Sequence, residues 1–169
     1  MTRRTTVLLM FTTSLLAACG GGEEPASGTK EEPQQVVLTA GNLGEQAVIA
    51  ASEYLAEPPY ASADRRNGAT QAQVCRACHS LEQGGATLLG PNLFGIFGKR
   101  AGGSEDFVYS EALASAGFLW TPRALDAWLA QPARFLPGNR MSFAGVLRES
   151  DRNDLIAYLL EVTNDDGDE

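Results

Sequence analysis

Apolar residues along this chain recur at helical spacing. Leu155, Tyr158, Leu159 and Val162 fall at steps of 0, 3, 4 and 7, one buried stripe on a helix that starts near Ser150. Leu125, Trp128 and Leu129 share a face after Thr121-Pro122, an N-cap followed by proline at the first helical position. Pro132 is expected to end that helix. A further helix is expected from about Asp64 into Cys75, and Leu43 to Glu57 is an amphipathic candidate that Pro58-Pro59 stops. Residues 80–108 are rich in glycine, contain Pro91 and show no strand alternation, so they read as loop. The pattern predicts an all-α domain of three to five short helices and long loops, with an added N-terminal helix. Long loops normally argue against such an assignment in a small domain, unless something other than side chains fills the core.

The two ends read differently from the middle. Arg3 and Arg4 precede a mostly apolar stretch, Val7 to Leu16, interrupted by Thr12, Thr13 and Ser14. That stretch is short for a transmembrane helix and suits an export signal. Leu16-Ala17-Ala18-Cys19 resembles bacterial lipoprotein signals, in which the cysteine is acylated and becomes the mature N-terminus. The expected organisation is therefore a lipoprotein signal over 1–18 and a flexible acidic tether over 19–40. An extra helical segment over 41–63, the main domain over 64–163 and an acidic tail over 164–169 follow.

Charge sharpens this division. The whole chain carries a formal −8, yet residues 64–160 hold ten basic and nine acidic groups, so the acidity belongs to the flanks. Nothing in the pattern suggests nucleic-acid binding. Arg134, Arg140 and Arg148 lie close in sequence to Met141. Each alone reads as solvated surface; as a group they could steer an acidic partner.

Beyond residue 18 the chain has one histidine and one methionine. His79 closes Cys75-Arg76-Ala77-Cys78-His79, and Met141 follows 62 residues later inside Pro137-Gly138-Asn139-Arg140-Met141. C-x-x-C-H is the attachment motif of c-type haem, and imidazole plus thioether is the axial pair of electron-transfer cytochromes. A zinc site needs about four ligands, and there is no second Cys pair or His to supply them. A thioredoxin-like pair needs a βαβ context that the pattern lacks. With Cys19 assigned to lipid and Cys75 and Cys78 to haem, no thiol is left over.

Further motifs agree in order and spacing. Leu89-Gly90-Pro91-Asn92-Leu93-Phe94-Gly95 follows the haem motif, then Phe107-Val108-Tyr109-Ser110 and Trp120, then Leu136 to Gly145 around Met141, then Asp154-Leu155-Ile156-Ala157-Tyr158-Leu159. From about Asp64 to Val162 the chain resembles the class I cytochromes c of the mitochondrial and bacterial short-chain type. The resemblance implies one haem c bound through Cys75 and Cys78 and ligated by His79 and Met141. It implies that the Pro91 carbonyl accepts the other imidazole N–H, and that Tyr109 and Trp120 bond a haem propionate. It also implies that the C-terminal helix crosses the N-terminal one at Gly68. The chain departs from the family pattern at several positions. Trp128 stands where a Tyr near the methionine sulfur is common, Asn139 where Thr is usual, Leu113 where Asn is usual, Lys99 for an Arg and Ala72 for an aromatic residue.

The function expected is one-electron transfer by a monomeric, lipid-anchored cytochrome on the periplasmic side of a bacterial membrane. Its partners would be a cytochrome bc-type reductase, a terminal oxidase or a dehydrogenase. The competing readings are a small haem peroxidase and a gas-binding or sensing module. Both need a labile sixth ligand, which Met141 should block.

Overall fold

The computed structural model describes residues 36–164. The signal segment, Cys19, most of the tether and all of the acidic tail but Asn164 lie outside the described residues. Among those described, six α-helices follow in order: α1 (Ala51–Ala56), α2 (Arg65–Arg76), α3 (Glu111–Ala114), α4 (Pro122–Ala130), α5 (Pro132–Phe135) and α6 (Glu149–Val162). A single 3-10 turn, Tyr60–Ser62, precedes α2. The only sheet-like pairing among the described residues is an isolated antiparallel bridge between Arg100 and Leu119. The expected all-α class therefore holds.

Local chemistry explains the helix ends. The Asp64 carboxylate accepts from the backbone N–H groups of Arg66 and Asn67, which would otherwise lack partners in the first turn of α2. Thr121 Oγ1 caps α4 by accepting from Ala124 N–H at 3.2 Å, with Pro122 next in line. Pro132 stops α4 as expected, and then opens α5 as its own first residue. Glu149 and Asp151 lie in the first turn of α6, where the helix dipole favours negative charge.

α2 and α6, from opposite ends of the domain, cross at Gly68. A Cβ there would fall on the carbonyl of Asp154 and on Tyr158 Cβ, so only glycine allows the approach. Ala72, one turn on, is fully buried. Polar groups staple the crossing. Asn67 Nδ2 donates to Asp151 Oδ1 at 3.0 Å and to Asp154 Oδ2 at 2.8 Å, and Asp64 N–H donates to Asp154 Oδ1 at 2.8 Å. Arg65 pairs with Glu161.

The Asn67 bond holds the Asp151 carboxyl below its usual range; burial opposes this and Arg148 supports it. A depressed carboxyl stabilises the fold at pH above its unfolded value of about 4, and that contribution is lost as pH falls through the folded value. Asp151→Asn is therefore expected to flatten the acid limb of stability against pH. Denaturant titrations of both proteins between neutral and acid pH check this; parallel acid limbs would contradict it.

Three expectations need correction. The stripe assigned to α6 names two of its five buried apolar residues. Leu155 and Leu159 are buried, Tyr158 and Val162 only partly, and Ile156, Ala157 and Leu160 are buried as well. α2 packs on one side of α6 and α4 on another, so a single apolar face does not suffice.

The helix expected over Leu43–Glu57 forms only as α1. Residues 43–50 run as an irregular strap instead. Gly44 sits at φ 72°, outside helical space, and the Gln46 side chain is committed to the backbone of Leu119. Leu43 is buried, and Arg123 donates to its carbonyl at 2.7 Å. Leu38 and Ala40, inside the stretch read as tether, already pack on the core, and Ala40 N–H donates to the Phe135 carbonyl at 3.1 Å.

Candidate functional site

The last turn of α2 delivers Cys75, and the chain stays in a tight turn beyond it. The N–H groups of Cys78 and His79 both donate to the Cys75 carbonyl, at 3.0 and 2.9 Å. A three-residue step of this kind keeps the two thiols near each other with the imidazole next in line. Both thiols are unpaired and half-buried, and burial pushes the Cys75 thiol up.

The following loop is clamped to this turn. Gly90 N–H donates to the Cys78 carbonyl and Leu93 N–H to the Ser80 carbonyl, both at 2.9 Å. Gly90 lies against the His79 ring, and a Cβ there would collide with it. That approach sets the Pro91 carbonyl 2.7 Å from His79 Nδ1. A carbonyl only accepts, so Nδ1 carries the proton and Nε2 keeps its lone pair. Burial lowers the His79 pKa against the opposing pull of the Pro91 bond, which favours the neutral ring a metal requires.

Aromatic side chains build another wall. Trp120 meets Trp128 at 5.3 Å, Trp128 meets Phe135 at 5.9 Å, Phe135 meets Phe118 at 5.3 Å and Phe118 meets Trp120 at 4.7 Å. Every contact is edge-to-face, so the four rings close a cycle that fixes both indoles. Tyr109 stands apart, edge-on to Phe107 at 4.8 Å.

The Met141 loop is organised by Asn139. Its Nδ2 donates to the carbonyls of Pro132 and Leu136 at 2.9 and 2.8 Å, and its Oδ1 accepts from Met141 N–H at 2.9 Å. The side chain acts on the loop backbone by donating to two carbonyls at once, which a Thr hydroxyl, with a single O–H, could not do.

One cavity of about 680 Å³ brings together all nine residues singled out from the sequence: Cys75, Cys78, His79, Pro91, Tyr109, Trp120, Trp128, Asn139 and Met141. The volume lies in the range of built small-molecule sites. Its donor set, two thiols, a neutral imidazole and a thioether around apolar walls, fits a covalently bound haem.

Lys99, Arg100 and Arg140 also line the cavity, and none makes an ion pair among the described residues. Lys99 Nζ donates to the Phe94 carbonyl at 3.2 Å, and Arg140 donates to the Val108 carbonyl. Sequence reasoning missed Arg100, whose place follows from the bridge to Leu119; no local signal marks it. Of the basic trio around Met141, only Arg140 lines the cavity. Arg148 is tied to Asp151 at 2.8 and 3.1 Å, and Arg134 is exposed away from the cavity lining.

A helical shell around a cavity with these donors defines a haem-binding electron-transfer domain. No family model matches the chain. Individual proteins do. The chain is 40% identical over 121 residues to a cytochrome c homolog of Bradyrhizobium diazoefficiens, covering 71% of this chain and 66% of that one. It is 43% identical over 90 residues to cytochrome c of Theileria annulata, covering 53% and 77%. It is 39% identical over 100 residues to cytochrome c2 of Agrobacterium tumefaciens, covering 57% and 90%. The chain belongs to the class I cytochrome c family. It is an electron carrier rather than an enzyme, and its cofactor is one covalently attached haem c. No helix among the described residues is long and apolar enough to cross a membrane.

Proposed function

We propose that this chain is a lipid-anchored one-electron carrier of the periplasmic space, with haem held by Cys75 and Cys78 and ligated by His79 and Met141. The observation that carries the reading is one cavity lined by both thiols, the tautomer-fixed imidazole and the thioether. The haem, when bound, supplies an iron centre that gains and loses one electron.

The chain's own residues do the rest. The Pro91 carbonyl holds the His79 ring with Nε2 free to ligate. Asn139 holds the Met141 backbone, so the sulfur is presented without loop rearrangement. Trp120 and Trp128 keep water off one wall. Tyr109 O–H and Trp120 N–H serve as donors to the propionates, whose charge Lys99, Arg100 and Arg140 balance.

The anchor is a lipid on Cys19, once the signal over 1–18 is removed. The tether from Cys19 lets the folded domain swing between a donor and an acceptor, and replaces free diffusion by effective concentration. A bc-type reductase, a terminal oxidase or a periplasmic dehydrogenase would fit that arrangement.

Three measurements test the reading. The ferric protein should show the weak near-infrared band of a methionine-sulfur-to-iron bond; bound haem without the band would overturn the Met141 assignment. Intact mass should include one haem, and Cys75→Ser/Cys78→Ser should abolish the covalent adduct. Cys19→Ser should release the protein from membranes, and retention there would remove the anchor. Asn139→Ala is further expected to weaken the Met141 loop by about 1–2 kcal/mol, the scale of lost side-chain hydrogen bonds. The near-infrared band should then disappear at lower temperature than in the parent.

A further inference from the structure

The strap ahead of α1 does something specific to the cavity wall. Residues 118–120 form a short extended segment with two edges. On one edge they pair with the chain at 98–101. Ala101 N–H donates to the Phe118 carbonyl and Trp120 N–H to the Lys99 carbonyl, both at 2.8 Å, and Gly98 N–H donates to the Trp120 carbonyl at 2.9 Å. The N–H and carbonyl of Leu119 point the other way.

Gln46 takes both. Its Nε2 donates to the Leu119 carbonyl at 2.7 Å, and its Oε1 accepts from Leu119 N–H at 2.9 Å. The carboxamide thus pairs with this edge as a neighbouring strand would, across 73 residues of sequence. It is itself held in place. Leu43 is buried below it, Arg123 grips the Leu43 carbonyl, and the Val48 side chain lies over Gly98. The two neighbours of Leu119 are Phe118 and Trp120, both members of the four-ring cycle, and Trp120 lines the cavity.

We infer that Gln46 is a positioning residue for the redox centre, holding the Trp120 wall against the haem through the backbone of Leu119. This rests on the reading that haem fills the cavity. A loosened wall admits water, and a more polar surrounding favours the more highly charged ferric state, so the reduction potential falls.

The test uses the full-length holoprotein. Gln46→Met keeps the length of the side chain and removes the amide. Two readouts are taken. Amide hydrogen exchange at Leu119 should speed up by at least about tenfold, the scale of one lost hydrogen bond, while Ala101 and Trp120 on the paired edge stay protected. At a fixed ambient potential the ferrous-to-ferric ratio should fall several-fold. The same substitution made in a Trp120→Phe background should leave that ratio unmoved, because the indole that Gln46 positions is gone.

Faster exchange at Leu119 with an unchanged ratio would make Gln46 a structural staple and overturn the inference. An equal fall in the Trp120→Phe background would overturn it too. Should Gln46→Met not fold, Gln46→Glu retains the acceptor for Leu119 N–H and loses the donor. The direct effect of its charge persists in the Trp120→Phe background, whereas the positioning effect vanishes there. A parent protein that purifies without haem defeats the underlying reading; a parent holoprotein indifferent to Gln46 defeats only this inference.

Discussion

Met141→Ala is expected to leave haem attached to Cys75 and Cys78 while opening the sixth coordination position. Beyond residue 18 the chain has no other methionine and no second histidine to replace the sulfur. Asn139 would still hold the loop backbone through its bonds to Pro132, Leu136 and residue 141, so the opening would be local. Three changes should appear together in the spectra and the potentiometric titration. The sulfur-to-iron band should vanish, carbon monoxide should bind the ferrous protein rapidly, and the potential should fall. Axial ligands move haem potentials over about 0.8 V, so a fall on the order of 0.1 V or more is expected. An unchanged band would remove Met141 from the ligand set. Rapid carbon monoxide binding by the parent itself would show a labile sixth position and favour the gas-binding alternative.

The largest expected effect on stability falls on a residue with no side chain. Gly68→Val would place a branched side chain where the carbonyl of Asp154 and Tyr158 Cβ already lie. Backbone cannot yield as a flexible side chain can, so α2 and α6 must part. That separation would also stretch the Asn67 bonds to Asp151 and Asp154. A loss of about 3 kcal/mol is expected, at the upper end of what overpacking costs. Chemical denaturation of the holoprotein measures it. Gly41→Ala is the control: the nearest atom to a new Cβ there is Thr39 Oγ1 at 4.0 Å, and a change within about 0.5 kcal/mol is expected.

The parts legible in the sequence were those with local causes. Asp64 and Thr121-Pro122 mark the starts of α2 and α4 by capping chemistry that acts within one turn. Pro132 marks the end of α4 because it cannot donate or fit inside the helix. The Cys75-Cys78-His79 motif announces its chemistry through spacing alone. The parts that escaped have non-local causes. α3 and α5 are four residues each, too short to show a period. The buried Ile156 and Leu160 answer to two packing partners of α6, which a single-face pattern does not anticipate. Residues 43–50 have helical spacing but are held as a strap by Leu119 and Arg123, far along the chain. Arg100 reaches the cavity through a bridge to Leu119 that no neighbouring residue foretells.

The crossing at Gly68 also decides how the domain comes apart. Helices of 12 and 14 residues are marginal alone, and each finds its support in the other. Yet their contacts, such as Asp64 to Asp154, join residues 90 apart, so everything between them is one closed loop. Such a loop costs entropy once, whichever end lets go first. The two extremities of the domain therefore form a single cooperative unit. Fraying from either terminus is resisted until both helices open in one event, and that event releases the segments bearing His79 and Met141 together.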